Sequence, residues 1–144
     1  MFKSFPALKT LILVAVGLFL AIQLVPVWLW QTNPPVVAQP AWDSPQTRAM
    51  VKRVCFDCHS NETVWPFYAR IAPSSWLVTR DVVQARNAMN FSEWDTKSLE
   101  VDEISQVINE GEMPPGQYLL LHPEARLSEA EKQQLVQGMA NSIR

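Results

Sequence analysis

The chain has 144 residues, 11 prolines, only 4 glycines and a formal net charge of −2 that is unevenly divided. Residues 1–42 carry Lys3 and Lys9 and no acid, whereas the remainder sets ten Lys/Arg against fourteen Asp/Glu. That acidic body lacks the basic face a nucleic-acid binder needs, and the 102 residues from 43 to 144 are too few for two independent domains.

The first element is apolar. Residues 10–42 contain no charge, and within 11–30 (LILVAVGLFLAIQLVPVWLW) Gln23 is the one clearly polar side chain. About 20 apolar residues cover a bilayer's hydrocarbon core at helical rise, and no polar stripe of the kind expected for a core helix interrupts them. Trp28 and Trp30 stand at the far end, where indole rings favour the headgroup region. Lys3 and Lys9 precede the run and no Lys or Arg follows before Arg48, which places the N-terminus in the cytoplasm and the body outside it. A cleaved secretory signal ending near Val36-Val37-Ala38 competes with this reading. The run is longer than the usual signal core of about 7–15 residues, which favours a retained anchor. Either way the body is exported. The expected organisation is an anchor over 1–30, a proline-rich linker over 31–44 and one domain over 45–144.

Further elements follow in order. Ser44-Pro45 reads as an N-cap followed by proline in the first helical turn, opening a helix with Thr47, Met50/Val51 and Val54 on one face. Ser74 or Ser75 caps a second helix from 76 to about 89, in which Val78, Val82, Ala85 and Met89 form a buried stripe. A third spans 96–110, with Val101, Ile104 and Ile108 inward and Gly111 ending it. Ser128-Glu129-Ala130-Glu131 is a capping box opening the last. No segment alternates like a strand. The expected class is all-α: a transmembrane helix, then a small helical domain with long loops.

The chemistry concentrates between the first two of these helices. The only two cysteines lie in Cys55-Phe56-Asp57-Cys58-His59. A dithiol of the thioredoxin kind would need a βαβ context. Tetrahedral zinc would need a fourth ligand, and the only other histidine is His122. The third reading is covalent attachment of one haem c, in which both thiols form thioethers and the adjacent histidine ligates iron. Two intervening residues let one helical turn present both sulfurs to the macrocycle edge, and export brings the motif to where haem is attached. Met89, Met113, His122 and Met139 are the candidates for the opposite axial position. Met89 and Met139 fall in apolar helical stripes and read as core. Met113 sits in Gly111-Glu112-Met113-Pro114-Pro115, where prolines stiffen the backbone around it. His122 is its rival, or else caps a turn before Pro123. Trp76, Arg70, Arg80 and Arg86 are available as donors to propionate carboxylates. The stretch from Glu93 to Glu112 holds seven acids and one base, Lys97, and reads as a solvated surface or a face for a basic partner.

The run Cys55-x-x-Cys58-His59-Ser60-Asn61-x-Thr63-x-Trp65-Pro66-Phe67-Tyr68 resembles the bacterial haem-binding domain family of cytochrome c-like proteins. So do Ala72-Pro73-x-Ser75-Trp76-Leu77, Asp81-Val82, Asn90-Phe91-Ser92-x-Trp94, Gly111-Glu112-Met113-Pro114-Pro115, Tyr118, Leu121-His122-Pro123 and Leu127-Ser128, so the likeness covers roughly 45–140. Phe67 departs mildly, standing where tryptophan is as common. The resemblance implies thioethers at Cys55 and Cys58 and axial ligation by His59. Similarity to class I cytochromes c makes Met113 the other axial ligand, while the place of His122 in the family pattern keeps it in contention. The expected function is a membrane-anchored monohaem c-type cytochrome carrying single electrons to redox partner proteins on the outer face of the cytoplasmic membrane. A haem sensor or peroxidase-like protein with a displaceable sixth ligand is the alternative. A zinc-stabilised interaction module is the reading without haem.

Overall fold

The computed structural model describes residues 6–94 and 101–143, so the expected start of the third helix, at 96–100, lies outside the described residues. Among the described residues there are seven α-helices: α1 Pro6–Ile22, α2 Pro45–Val54, α3 Phe56–His59, α4 Ser74–Ala88, α5 Val101–Asn109, α6 Gly116–Leu121 and α7 Glu129–Ser142. Three single 3-10 turns, Val27–Leu29, Phe67–Arg70 and Pro123–Ala125, join them. No strand forms among the described residues; one isolated parallel bridge pairs Ala38 with Glu93. The all-α class expected from the sequence is the class observed.

The chain divides into two compact units, one of Met1–Thr32 with Trp65–Arg80 and one of Asn33–Val64 with Asp81–Arg144. In the first, the segment Ala7–Leu29 has the length and apolarity to cross a membrane and is buried nowhere along its 23 residues. A helix apolar on every side is what its composition dictates. Gln23, the polar exception, receives the Ala72 N–H at 2.8 Å and donates to the Ala72 carbonyl at 3.2 Å. Gln31 donates to Thr79 Oγ1 at 2.9 Å and to the Ala69 carbonyl, fixing the 3-10 turn Phe67–Arg70.

The second unit holds the hydrophobic core. Val51, Val54, Phe56, Met89, Phe91, Ile104, Ile108, Ala125, Leu135 and Met139 form one buried cluster. α2 begins as its sequence directs: Ser44 Oγ accepts the Thr47 N–H, Pro45 opens the first turn, and Thr47, Val51 and Val54 are buried. α7 carries the expected capping box, with Ser128 and Glu131 each accepting from the other's backbone N–H. α4 differs at its start. Ser74 lies inside the first turn and its hydroxyl donates to the Tyr68 and Ile71 carbonyls instead of accepting from the helix. α5 ends at Gly111, whose φ of 76° permits the paired closure of Gly111 N–H on the Ile108 carbonyl and Glu112 N–H on the Val107 carbonyl.

α2 and α7 approach closely at Gly138, where a Cβ would overlap the Thr47 side chain. Gly138→Ala is therefore expected to destabilise the protein by roughly 1–3 kcal/mol through overpacking, measured as a lowered thermal midpoint by circular dichroism. At the other end of α7, the Ser128 backbone N–H and then the Arg53 guanidinium, 2.6 Å away, hold the Glu131 carboxyl down to about 2 from its ordinary 4.5. A depressed carboxyl stabilises the fold above its unfolded pKa and loses that contribution as pH falls through the folded value. Stability should decline on acidification from about 4.5 towards about 2, and Glu131→Gln should flatten the decline in that window.

Candidate functional site

The cysteine motif sits where α2 gives way to α3. Cys55 ends the first helix, with its N–H on the Val51 carbonyl at 2.8 Å, and begins the second, accepting the His59 N–H at 2.8 Å and the Cys58 N–H at 3.2 Å. Cys55, Cys58 and His59 thus share a single turn. The residue between them that holds this turn in place is Phe56, 1 % exposed. Its ring lies 5.6 Å from that of Phe91 and 6.4 Å from that of Trp42, and Phe91 in turn stacks on Trp94 at 5.7 Å. Burial of a phenylalanine contributes about 1.5–3 kcal/mol, and favourable ring pairs add about 0.5–1.5 kcal/mol each. The turn is therefore anchored by the core beneath it.

His59 is held from two directions. Its carbonyl accepts the Phe91 N–H at 2.8 Å, and its Nδ1 lies 3.1 Å from the Met89 carbonyl, just past the end of α4. A carbonyl oxygen only accepts, so Nδ1 carries the proton and Nε2 keeps its lone pair. Burial pushes the imidazole pKa down, against the opposing pull of the Met89 and Ala85 carbonyls, and so favours the neutral ring. A neutral imidazole with its rear N–H on a carbonyl is oriented to ligate a metal through the other nitrogen.

Neither thiol is activated. Cys55 is pushed up to about 12, chiefly by burial, and Cys58 to about 11, by burial and then by the charges of Asp57 and Asp81. Both are free thiols. Burial thus disfavours the thiolate, the form that thiol–disulfide exchange requires. Among the described residues no three His, Cys, Asp or Glu side chains converge to hold a metal ion.

A polar frame supports the loop after His59. Ser60 Oγ donates to the Phe56 carbonyl at 2.7 Å, and Arg86 donates to the Ser60 carbonyl and to Thr63 Oγ1, both at 2.8 Å, and to Asn33 Oδ1 at 3.0 Å. The Asn61 N–H bonds Ser92 Oγ and its side chain bonds Glu93 and Asn90, lashing the loop to 89–93, the segment that orients His59. Arg86 is thus engaged in structure, not held ready for an external carboxylate.

Tyr118 of α6 donates to Asp57 Oδ2 at 2.8 Å, between the two cysteines. Its hydroxyl pKa is raised by burial and then by the Asp57 charge, which keeps it a donor. His122 stacks on Tyr118 at 4.1 Å, with its Nδ1 3.0 Å from Glu124 Oε1. Met113 precedes α6 in the loop launched by Gly111; its N–H joins the Val107 carbonyl at 3.1 Å and the residue is 40 % exposed. The structure therefore sets Cys55, Cys58 and His59 on one turn; Met113 precedes α6 and His122 follows it, and His122 stacks on the Tyr118 that bonds Asp57. Met89 and Met139 are buried in the core, as their spacing indicates. The sequence offered no sign of the Met89 carbonyl, a backbone atom. Only the Asp between the cysteines hinted at a donor such as Tyr118.

Tyr118→Phe removes a charge-assisted hydrogen bond from Asp57 and should cost on the order of 1 kcal/mol, visible as a lower urea midpoint. An unchanged midpoint would show that solvent replaces the phenol at no cost.

A family model described as the haem-binding domain matches residues 17–141. No curated protein and no solved structure gives a significant match.

Proposed function

The chain belongs to the haem-binding domain family, and on that premise we propose that it is a monohaem c-type cytochrome, anchored by residues 1–30 in the cytoplasmic membrane and carrying single electrons on its outer face. The observation that carries the reading is the bond of His59 Nδ1 to the Met89 carbonyl, which leaves Nε2 as the free donor in a turn shared with both cysteines.

In this reading 31–44 connects the anchor to the haem domain at 45–144. Cys55 and Cys58 would hold one haem c through thioethers. His59 and Met113 would hold its iron, with the Gly111 helix end and the prolines that follow stiffening the backbone around Met113. Haem, when bound, supplies an iron centre that changes oxidation state by one electron. The protein holds the proximal imidazole at fixed angle, keeps a proton on its Nδ1 and excludes water beneath it with Phe56 and Phe91. The Met89 acceptor makes His59 a stronger base and favours the oxidised iron. Tyr118 satisfies the Asp57 charge between the thioether sites. Lys3 and Lys9, before an apolar run with no following base until Arg48, support an outward-facing domain.

The exposure of Met113 favours a second reading, a haem sensor or peroxidase-like protein in which this ligand yields to a small molecule. The visible spectrum of the purified full chain, matured with haem-attachment machinery, separates the two. A low-spin spectrum with the weak far-red sulfur-to-iron band, lost in Met113→Ala while the haem stays attached, is the expected result. Absence of that band in the wild type transfers the axial role to His122. Rapid, complete carbon monoxide binding by the reduced protein replaces the carrier by the sensor, and absence of any Soret band ends both readings.

A further inference from the structure

Within the first compact unit, the 3-10 turns Val27–Leu29 and Phe67–Arg70 enclose a half-open cavity of about 340 Å³. Val27, Trp28, Gln31, Trp65, Ala69 and Arg70 line it. Two of these residues are polar donors whose capacity the fold does not use. Trp65 Nε1 is the one buried side-chain polar atom among the described residues that lacks a hydrogen-bond partner. The guanidinium of Arg70, an exposed residue, forms no hydrogen bond or ion pair among the described residues. Buried donors are ordinarily satisfied, and a guanidinium lining the same cavity adds a charged donor suited to an anion.

The position of the cavity selects the anion. Val27 and Trp28 are the last turn of the apolar segment Ala7–Leu29, and Trp28 is 58 % exposed. If that segment crosses the bilayer, the cavity lies at headgroup depth, where tryptophan concentrates and the phosphodiester is the abundant anion. Arginine's fork matches phosphate oxygens better than a point charge does. The apolar walls from Val27, Ala69 and the indole faces suit the adjoining glycerol carbons.

We propose that this cavity binds the phosphodiester headgroup of a membrane phospholipid, with Arg70 as the charged donor, Trp65 Nε1 as the second donor after a small rotation of its ring, and Trp28 against the glycerol region. The proposal rests on reading Ala7–Leu29 as a retained anchor and is independent of the haem ligands. The bound lipid fixes the depth at which the anchor end of the chain sits in the outer leaflet.

Native mass spectrometry of the full-length protein, released from dodecyl maltoside, tests it. Phosphatidylglycerol, a diacylglycerol of the same chains and inorganic phosphate are the probes. One phosphatidylglycerol per chain should survive release, with retention at least tenfold above that of diacylglycerol and no effect of millimolar inorganic phosphate. Arg70→Gln should reduce retention about tenfold, Arg70→Lys should restore part of it and Trp65→Phe should reduce it several-fold. Equal retention of diacylglycerol, or retention unchanged in Arg70→Gln, overturns the proposal. So does displacement by inorganic phosphate, which would make this a general anion site. An Arg70→Gln variant that keeps its lipid but shifts its reduction potential assigns Arg70 to a haem carboxylate instead, and likewise overturns it. Membrane fractionation of the same variants keeps the two readings apart: wild-type protein found in the soluble fraction removes the anchor, whereas membrane-bound Arg70→Gln that keeps its lipid removes only the headgroup site.

Discussion

An imidazole can offer a metal one nitrogen only when something else accounts for the other. In this protein the Met89 carbonyl, 3.1 Å from His59 Nδ1, does so. It fixes the tautomer, while burial favours the neutral form and the Phe91 N–H holds the backbone of the same residue. The acceptor lies just beyond α4, where helix carbonyls run out of intrahelical partners. Much of the second unit serves that contact. Phe56 and Phe91 seat the turn and the segment facing it on a common core, and Ser60, Asn61, Arg86, Asn90 and Ser92 bind the two together.

The contrast between the two sides of the motif is informative. Beneath the turn Phe56 and Phe91 are buried, and so are the hydrogen-bonded Ser60, Asn61 and Ser92. Towards α6 the contacts are fewer: one Tyr118–Asp57 bond, a stacked His122 and a Met113 that is 40 % exposed. In the proposed reading His59 is the rigid ligand and Met113 the adjustable one, an arrangement that suits stable electron transfer and ligand exchange alike. The choice between carrier and sensor therefore turns on Met113, not on His59.

Local signals were legible in the sequence and distant ones were not. Ser44-Pro45, the Ser128–Glu131 box and Gly111 act within a few residues of themselves, and each performs the expected task. The stripes of α2, α4 and α5 identified Val51, Val82, Ile104 and Ile108 as buried. Ser74 misled because a serine before a helix can accept from its first turn or donate backwards to the preceding one, and the 3-10 turn Phe67–Arg70 supplied carbonyls for the second. α3 and α6, with four and six residues, are too short to show a helical period. At the site, residue type pointed to Cys55, Cys58, His59 and Met113. What holds the turn from Cys55 to His59 comes from Met89, Arg86 and Tyr118, residues 27 to 61 positions away along the chain that meet the motif only once the core has formed.

The central claim is that the turn from Cys55 to His59 carries a haem through two thioether bonds. The pyridine haemochrome of the purified chain, taken after acid–acetone extraction, tests it directly. Thioether attachment keeps the haem with the protein and gives the α band of a dithioether haem. That band should shift towards the single-thioether position in Cys55→Ser or Cys58→Ser. Haem that passes into the organic phase with the α band of free protohaem would contradict it.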